Sequence, residues 1–243
     1  APNIAKLLSP QTRELEEASL LRYTSIAQQG ETPFRLDETN NVSCGGVAGV
    51  SNTFAGALWA AGYLPRAMTL GVSGVNLHGL PASCTGYAPV CAPTPEALAA
   101  GALGVQPEWY ALLLIKALVG ERPLPTLTAS PRHPNVLAAA TLGASGALHF
   151  VLVDDDPPGS HAVAMRLRVG AGFAGASVLR LTAPAPQAVS GMLLGGRPIA
   201  PDGSWSAPAR LPQARSRRGV VTVRMAPSSA ALVSVAPQLA TAR

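Results

Sequence analysis

Apolar residues recur at two different spacings along this chain, and the change falls near residue 123. Before it the spacing is three to four residues, the period of an amphipathic helix, interrupted by two short extended runs. Ser9-Pro10 predicts a helix start, because proline at the first helical position gives up an N–H that has no helical partner there. That helix should run to about Gln29, with Gly30 ending it. Residues 33–38 read as a strand. A second helix is expected from Thr53 to about Leu70, with Phe54, Leu58, Ala61 and Leu64 on one face and a kink or early end at Pro65. Residues 72–78 read as a second strand, and residues 108–118 as a third helix closed by Gly120. Strands alternating with helices imply parallel βα units.

Beyond residue 123 the helical period disappears. Short β-rich runs are expected at residues 135–141, 147–153, 162–169, 177–182, 191–194, 220–225 and 231–235. Turn residues punctuate them, as in Asp154-Asp-Asp-Pro-Pro-Gly159 and Pro201-Asp-Gly203, and such spacing predicts an antiparallel β-sandwich. No repeat and no low-complexity linker separates the halves, so they should pack closely. The first half is small for what it implies. Two βα units cannot close a barrel, which takes eight strands and about 250 residues. A two-stranded parallel sheet also leaves both edges unpaired. The sequence therefore reads as part of a larger fold, with the apolar faces of its first two helices (Leu15, Leu20, Leu21, Ile26; Phe54, Leu58, Leu64) left uncovered.

Composition sharpens this picture in a few places. Apolar residues make up 48% and charged residues 13%, which fits a globular chain and excludes a disordered one. No apolar run reaches the roughly 18–20 residues of a membrane span, so none is expected. Ala1 to Lys6 shows no signal peptide, although the parent protein is expected to be secreted or periplasmic. The three cysteines, Cys44, Cys84 and Cys91, fit neither a zinc ribbon nor a CxxC pair, and no metal or cofactor is expected. Cys84 and Cys91 bracket a short loop and suit either a local disulfide or two free thiols. The net charge of +5 rests on arginine, five of which lie at Arg210, Arg215, Arg217, Arg218 and Arg224. They form either a solvated loop before a strand or a surface for a polyanion such as an acidic polysaccharide. Nucleic acid is not expected, since no aromatic residue is interleaved with them.

The candidate chemistry lies where the two strands of the first half end. Glu38 closes the first and is followed by Thr39-Asn-Asn-Val-Ser-Cys-Gly-Gly46, a polar, glycine-rich loop over which a backbone can approach a sugar closely. On residue type alone, a Glu at a strand end is equally a surface or ion-pair group. The string from Arg35 to Trp59 (RLDETNNVSCGGVAGVSNTFAGALW) resembles the nucleophile strand and following helix of family 79 glycoside hydrolases, the heparanases and β-glucuronidases. Gly74-Val-Asn-Leu-His-Gly79 resembles that family's last barrel strand, and Gly86-Tyr-Ala-Pro-Val90 its substrate loop. Pro107-Glu-Trp-Tyr-Ala-Leu-Leu-Leu114 resembles its last barrel helix. Leu194-Gly-Gly196, Asp202-Gly-Ser-Trp205 and Ser229-Ala-Ala-Leu-Val233 are similar, more loosely, to its C-terminal domain.

The resemblance implies a fold of class α/β plus all-β. Residues 1–122 would be the last βα units of a TIM (β/α)8 barrel and residues 123–243 an antiparallel β-sandwich. It implies retaining hydrolysis of glucuronic-acid-containing oligo- or polysaccharides, in which one carboxylate attacks and another protonates the leaving oxygen. Glu38 matches the nucleophile. Gly86 and Tyr87 match the loop that meets the uronate carboxylate; His78 would line the sugar pocket or serve as a structural histidine. Asn40 would bind substrate or, with Asn41, cap a turn. Asn52 stands where some relatives carry Asp, read as a helix-cap exchange. The family's general acid is a Glu preceded by Asn, and none of the eight glutamates here follows an asparagine. An N-terminal barrel segment or chain is therefore expected to supply it, and the chain alone to be inactive. The rival expectation is a non-catalytic module that holds acidic glycan.

Overall fold

A computed structural model describes residues 1–126 and 135–238. A short helix α1 (Ile4–Leu7) leads into α2 (Pro10–Gln29), whose start is capped by Ser9 Oγ accepting from the Thr12 N–H at 3.1 Å. Strand β1 (Phe34–Thr39), helix α3 (Phe54–Thr69) and strand β2 (Val72–Leu77) follow, and β1 and β2 pair in parallel, as a βαβ unit requires. The helix α3 does not end at Pro65 but continues to Thr69. Two hairpin-like residues pairs, β3 (Val90–Cys91) and β4 (Gly104–Val105), flank a helix α4 (Pro95–Ala99) absent from the sequence reading. Helix α5 (Pro107–Ile115) then closes through a 3-10 turn at Lys116–Leu118.

The β-rich half comprises β5 (Arg122–Leu124), β6 (Val136–Leu142), β7 (Leu148–Asp154), β8 (Val163–Arg168), β9 (Phe173–Thr182), β10 (Leu193–Leu194), β11 (Gln213–Arg217), β12 (Val220–Met225) and β13 (Ser229–Pro237). These strands hydrogen-bond along one continuous path, β5-β6-β7-β13-β9-β11-β12-β8, with β10 on the edge of β9. The sheet curls like half a barrel, so that β8 and β12 face β6, β7 and β13 across a core of Phe150, Leu152, Met165, Val221, Met225 and Val233. Strand β11 falls among the clustered arginines, where the sequence suggests either a solvated loop or a polyanion-attracting surface. It pairs because every second residue, Ala214 and Ser216, turns inward while Gln213, Arg215 and Arg217 stay in water.

The central strands bury both faces. In β13, Ala231, Val233 and Val235 enter the curl, whereas Ala230 and Leu232 point to the other side. That second side forms a core with α3 and α5, where Phe54, Leu58, Ala111 and Leu114 meet Val151, Val153, Leu181 and Leu194. The face of α3 expected to lie uncovered is thus covered by the β-rich half, with Phe54 and Leu58 fully buried. A second link joins the halves. The first free amides of α3, Phe54 N–H and Ala55 N–H, donate to Ala188 O and Pro186 O at 2.8 and 2.9 Å, so a loop of the β-rich half caps the helix. On α2 the expectation holds in part: Leu20 is buried, but Leu15, Leu21 and Ile26 are exposed.

Candidate active site

Glu38 lies near the C-terminal end of β1, where the ladder is irregular. Leu36 pairs with Val75 and Thr39 with Leu77, so three steps along β1 match two along β2. The extra residue breaks the strand's alternation, and Asp37 and Glu38 are both exposed in consequence. The Glu38 side chain keeps 72% of its surface in solvent, and its Oε1 lies 3.9 Å from His78 Nε2. His78 follows β2 directly, held to β1 by its N–H donating to Thr39 O at 2.8 Å.

Behind His78 stands Tyr87, 5% exposed. Its Oη lies 2.6 Å from His78 Nδ1 and accepts from the Gly45 N–H at 3.1 Å. Either group can supply the proton of the Tyr87–His78 contact, because the phenol oxygen has two lone pairs and Gly45 uses one of them. A line of polar groups therefore runs from Gly45 through Tyr87 and His78 to the Glu38 carboxylate. Glycine is required where the two loops meet. Gly45 and Gly46 have φ of 91° and 85°, and a Cβ on Gly46 would lie 3.0 Å from the Tyr87 ring. A Cβ on Gly86 would run into the Gly45 carbonyl.

Asn40 ties these pieces together rather than only capping a turn. Its Oδ1 accepts from the Asn41 N–H at 2.7 Å. Its Nδ2 faces three acceptors, His78 O (2.8 Å), Tyr87 O (3.3 Å) and Glu108 Oε2 (3.4 Å). Asn52 is not the helix cap, which is Thr53; its side chain accepts from Gly49 N–H and donates to Cys84 O. Cys84 and Cys91 are joined in a disulfide that staples the loop carrying Gly86 and Tyr87, and Cys44 is free and exposed. From below, Gln106 Nε2 donates to Ala88 O at 2.6 Å.

Sequence reading missed Glu108 and Gln106. Glu108 occupies the first turn of α5, where an acid normally sits in water opposite the helix amides. Here it is only 2% exposed. Burial pushes its carboxyl up to about 8, offset in part by the Asn40 hydrogen bond, so it is mainly neutral at pH 7. Its Oε1 has no hydrogen-bond partner among the described residues. The one available signal was its place between Pro107 and the run Trp109-Tyr-Ala-Leu-Leu-Leu114, on a helix too apolar to face solvent. Among the described residues, no group of three or more His, Cys, Asp or Glu is placed to hold a metal ion, and no helix is long and apolar enough to cross a membrane.

No family model and no curated protein matches the chain. Its fold is similar to those of solved glycoside hydrolases. A 4-O-α-L-rhamnosyl-β-D-glucuronidase from Fusarium oxysporum 12S aligns with a TM-score of 0.75 and 21% identity, covering 96% of this chain and 50% of that one. The family 51 arabinofuranosidase from Xanthomonas axonopodis pv. citri aligns at 0.58 and 16%, covering 97% and 48%. An α-L-arabinofuranosidase from Thermotoga maritima aligns at 0.59 and 15%, covering 95% and 48%. The chain thus spans about half the length of these three structures.

Proposed function

We propose that this chain is the C-terminal part of a retaining β-glucuronidase of the family 79 type, acting on glucuronic-acid-containing glycans. In this reading residues 1–122 are the last βα units of a TIM barrel and residues 123–243 its β-sandwich domain. The observation that carries it is the convergence, at the ends of two parallel strands, of Glu38, His78 and the Gly86-Tyr87 loop, in a fold similar to that of a glucuronidase.

Glu38 is the nucleophile. Its carboxylate attacks the anomeric carbon while a second carboxylate, from a strand outside this chain, protonates the leaving oxygen; water then releases the sugar. His78, beside Glu38, keeps the carboxylate in position without competing for the carbon. The Gly86 backbone and the Tyr87 hydroxyl recognise the uronate, with Tyr87 exchanging its bond to Gly45 or His78 for one to the sugar carboxylate. Asn40 fixes the spacing of the two strand ends and the loop. Protonation of the leaving group contributes about 10²–10⁴-fold, so without the acid-bearing segment the chain turns over poorly.

The test uses this chain joined to, or mixed with, a segment that supplies the missing strands. Glu38→Ala should abolish cleavage of 4-nitrophenyl β-glucuronide while leaving the fold intact, and azide should restore part of it by replacing the nucleophile. Retained cleavage in Glu38→Ala would refute the assignment.

A further inference from the structure

The pairing of the β-rich half brings together arginines that the sequence keeps far apart. Nine arginines and a single acid, Asp202, fall between residues 163 and 225, so the chain's excess of positive charge originates there. In β8 the buried residues are Met165 and Leu167, which turns Arg166 and Arg168 outward. In β12 the buried residues are Val221, Val223 and Met225, which turns Arg224 outward on the same face. Arg217 pairs with Val220, and Val220 with Arg168, so β11 adds Arg215 and Arg217 to that face. Arg218 stands at the hairpin tip, where it and Gly219 have φ of 53° and 73°, the backbone a two-residue turn needs.

All six arginines are exposed, and strands β8, β11 and β12 contain no Asp or Glu. Between β8 and β12 each arginine faces a neutral residue: Arg168 opposite Val220, Arg166 opposite Thr222, Arg224 opposite Ala164. Neighbouring strands lie about 4.8 Å apart and same-face residues about 6.8 Å apart along a strand. The guanidinium groups are therefore spread as a lattice of separate cations rather than stacked against one another. Opposite charges that would neutralise them internally are not present on these strands.

We propose that this outward face of β8, β12 and β11 is a binding surface for an acidic polysaccharide, separate from the Glu38 site. Guanidinium forks match carboxylates and sulfates two oxygens at a time, which lysine does not. A spaced array of this kind suits a long chain bearing anions at intervals. Bases of a single-stranded nucleic acid would need aromatic platforms, and none of Tyr, Trp or Phe lies on the outward positions of these strands. A membrane surface would need apolar side chains beside the cations, and these positions offer little beyond Ala164 and Val220.

The experiment uses residues 1–243 with heparin, hyaluronan, neutral dextran and a single-stranded DNA of matched charge as probes, and does not depend on glycosidase activity. Heparin and hyaluronan distinguish sulfate from carboxylate as the group recognised. One variant combines Arg166→Ser, Arg168→Ser and Arg217→Ser. A control of equal charge change combines the exposed Lys6→Ser, Arg22→Ser and Lys116→Ser. The face variant should bind at least one acidic polysaccharide about tenfold or more weakly at 0.1 M salt (roughly), with the slope of log K against log salt reduced by about 2 to 3. The control should change by less than about twofold. Lysine at the three face positions should recover most of the slope, which separates lost binding from lost folding. Equal losses in both Ser variants, tighter binding of DNA than of either acidic polysaccharide, or no binding that dextran does not share would each overturn the proposal.

Discussion

Strand β1, of six residues, and strand β13, of nine, end in opposite circumstances. β13 is paired on both edges, to β7 and β9, and packed on both faces. Among the described residues β1 is paired on one edge only, to β2, and each residue of it is at least partly exposed. A strand saturated with neighbours has no freedom to present a charged group, since a carboxylate there would lose its hydration without compensation. The half-finished strand keeps Glu38 in water beside His78. In this chain the β-rich half is saturated with neighbours, and the βα half, braced against it through α3 and α5, presents Glu38 and His78 at an open strand edge.

The most disruptive way to probe that division is at the shared core. Leu58 is fully buried between α5 and the sheet, and Leu58→Ala should cost about 2–5 kcal/mol. Because both halves contribute to that cluster, thermal unfolding followed by helix and by strand signals should shift together. A β-rich half that melts unchanged while the helices are lost would break the comparison.

Next in size is the buried acid under the site. Glu108 is raised from 4.5 to about 8 by burial, so its folded form holds the proton more tightly than the unfolded chain does. For such a group stability is fully present below about 4.5 and is lost as pH rises to about 8. Glu108→Gln removes the titration and keeps the shape. Relative to wild type it should gain on the order of 4–5 kcal/mol between pH 4 and pH 8. Melting temperatures of both proteins across that range test it; parallel curves would show that Glu108 does not titrate on unfolding.

Smaller effects follow at the loop and at the surface. In the assembled enzyme Tyr87→Phe should narrow the preference for a glucuronide over the matching glucoside by roughly 1.5–3 kcal/mol in relative kcat/KM, the worth of a hydrogen bond to a charged group. An unchanged ratio would mean that Tyr87 only orients His78. Least of all, Ile26→Ser on the exposed side of α2 should alter the stability of this chain by no more than about 0.5 kcal/mol. A clear loss would mean that α2 is already covered in solution.

Much of the strand and helix pattern was readable because period alone carries it. Residues 220–225 were placed to the residue, and the start at Ser9-Pro10 was fixed by cap chemistry. What escaped was governed by neighbours distant in sequence. β11 carries three polar outward residues in five and counts as a strand only once β9 and β12 accept it. The helix α3 runs through Pro65 because packing on α5 and the sheet outweighs one missing hydrogen bond. Of the candidate site, Glu38, His78, Asn40, Gly86 and Tyr87 were all singled out, and they do meet. Their connections were not visible: a chain of hydrogen bonds from Gly45 to His78, and a carboxyl at position 108 deprived of water.

By itself the sequence determined the two regimes of periodicity, the caps and turns, and which residue types stand at the ends of β1 and β2. Those depend on local backbone preference and on the spacing of apolar side chains, which act over a few residues. Only the tertiary structure decided that the β-rich half covers α3, that Glu108 is buried and therefore holds its proton, and that arginines from β8, β11 and β12 share one face. Burial and electrostatic environment are properties of what surrounds a group, and the groups in question lie far apart along the chain, Asn40 and Glu108 by 68 positions.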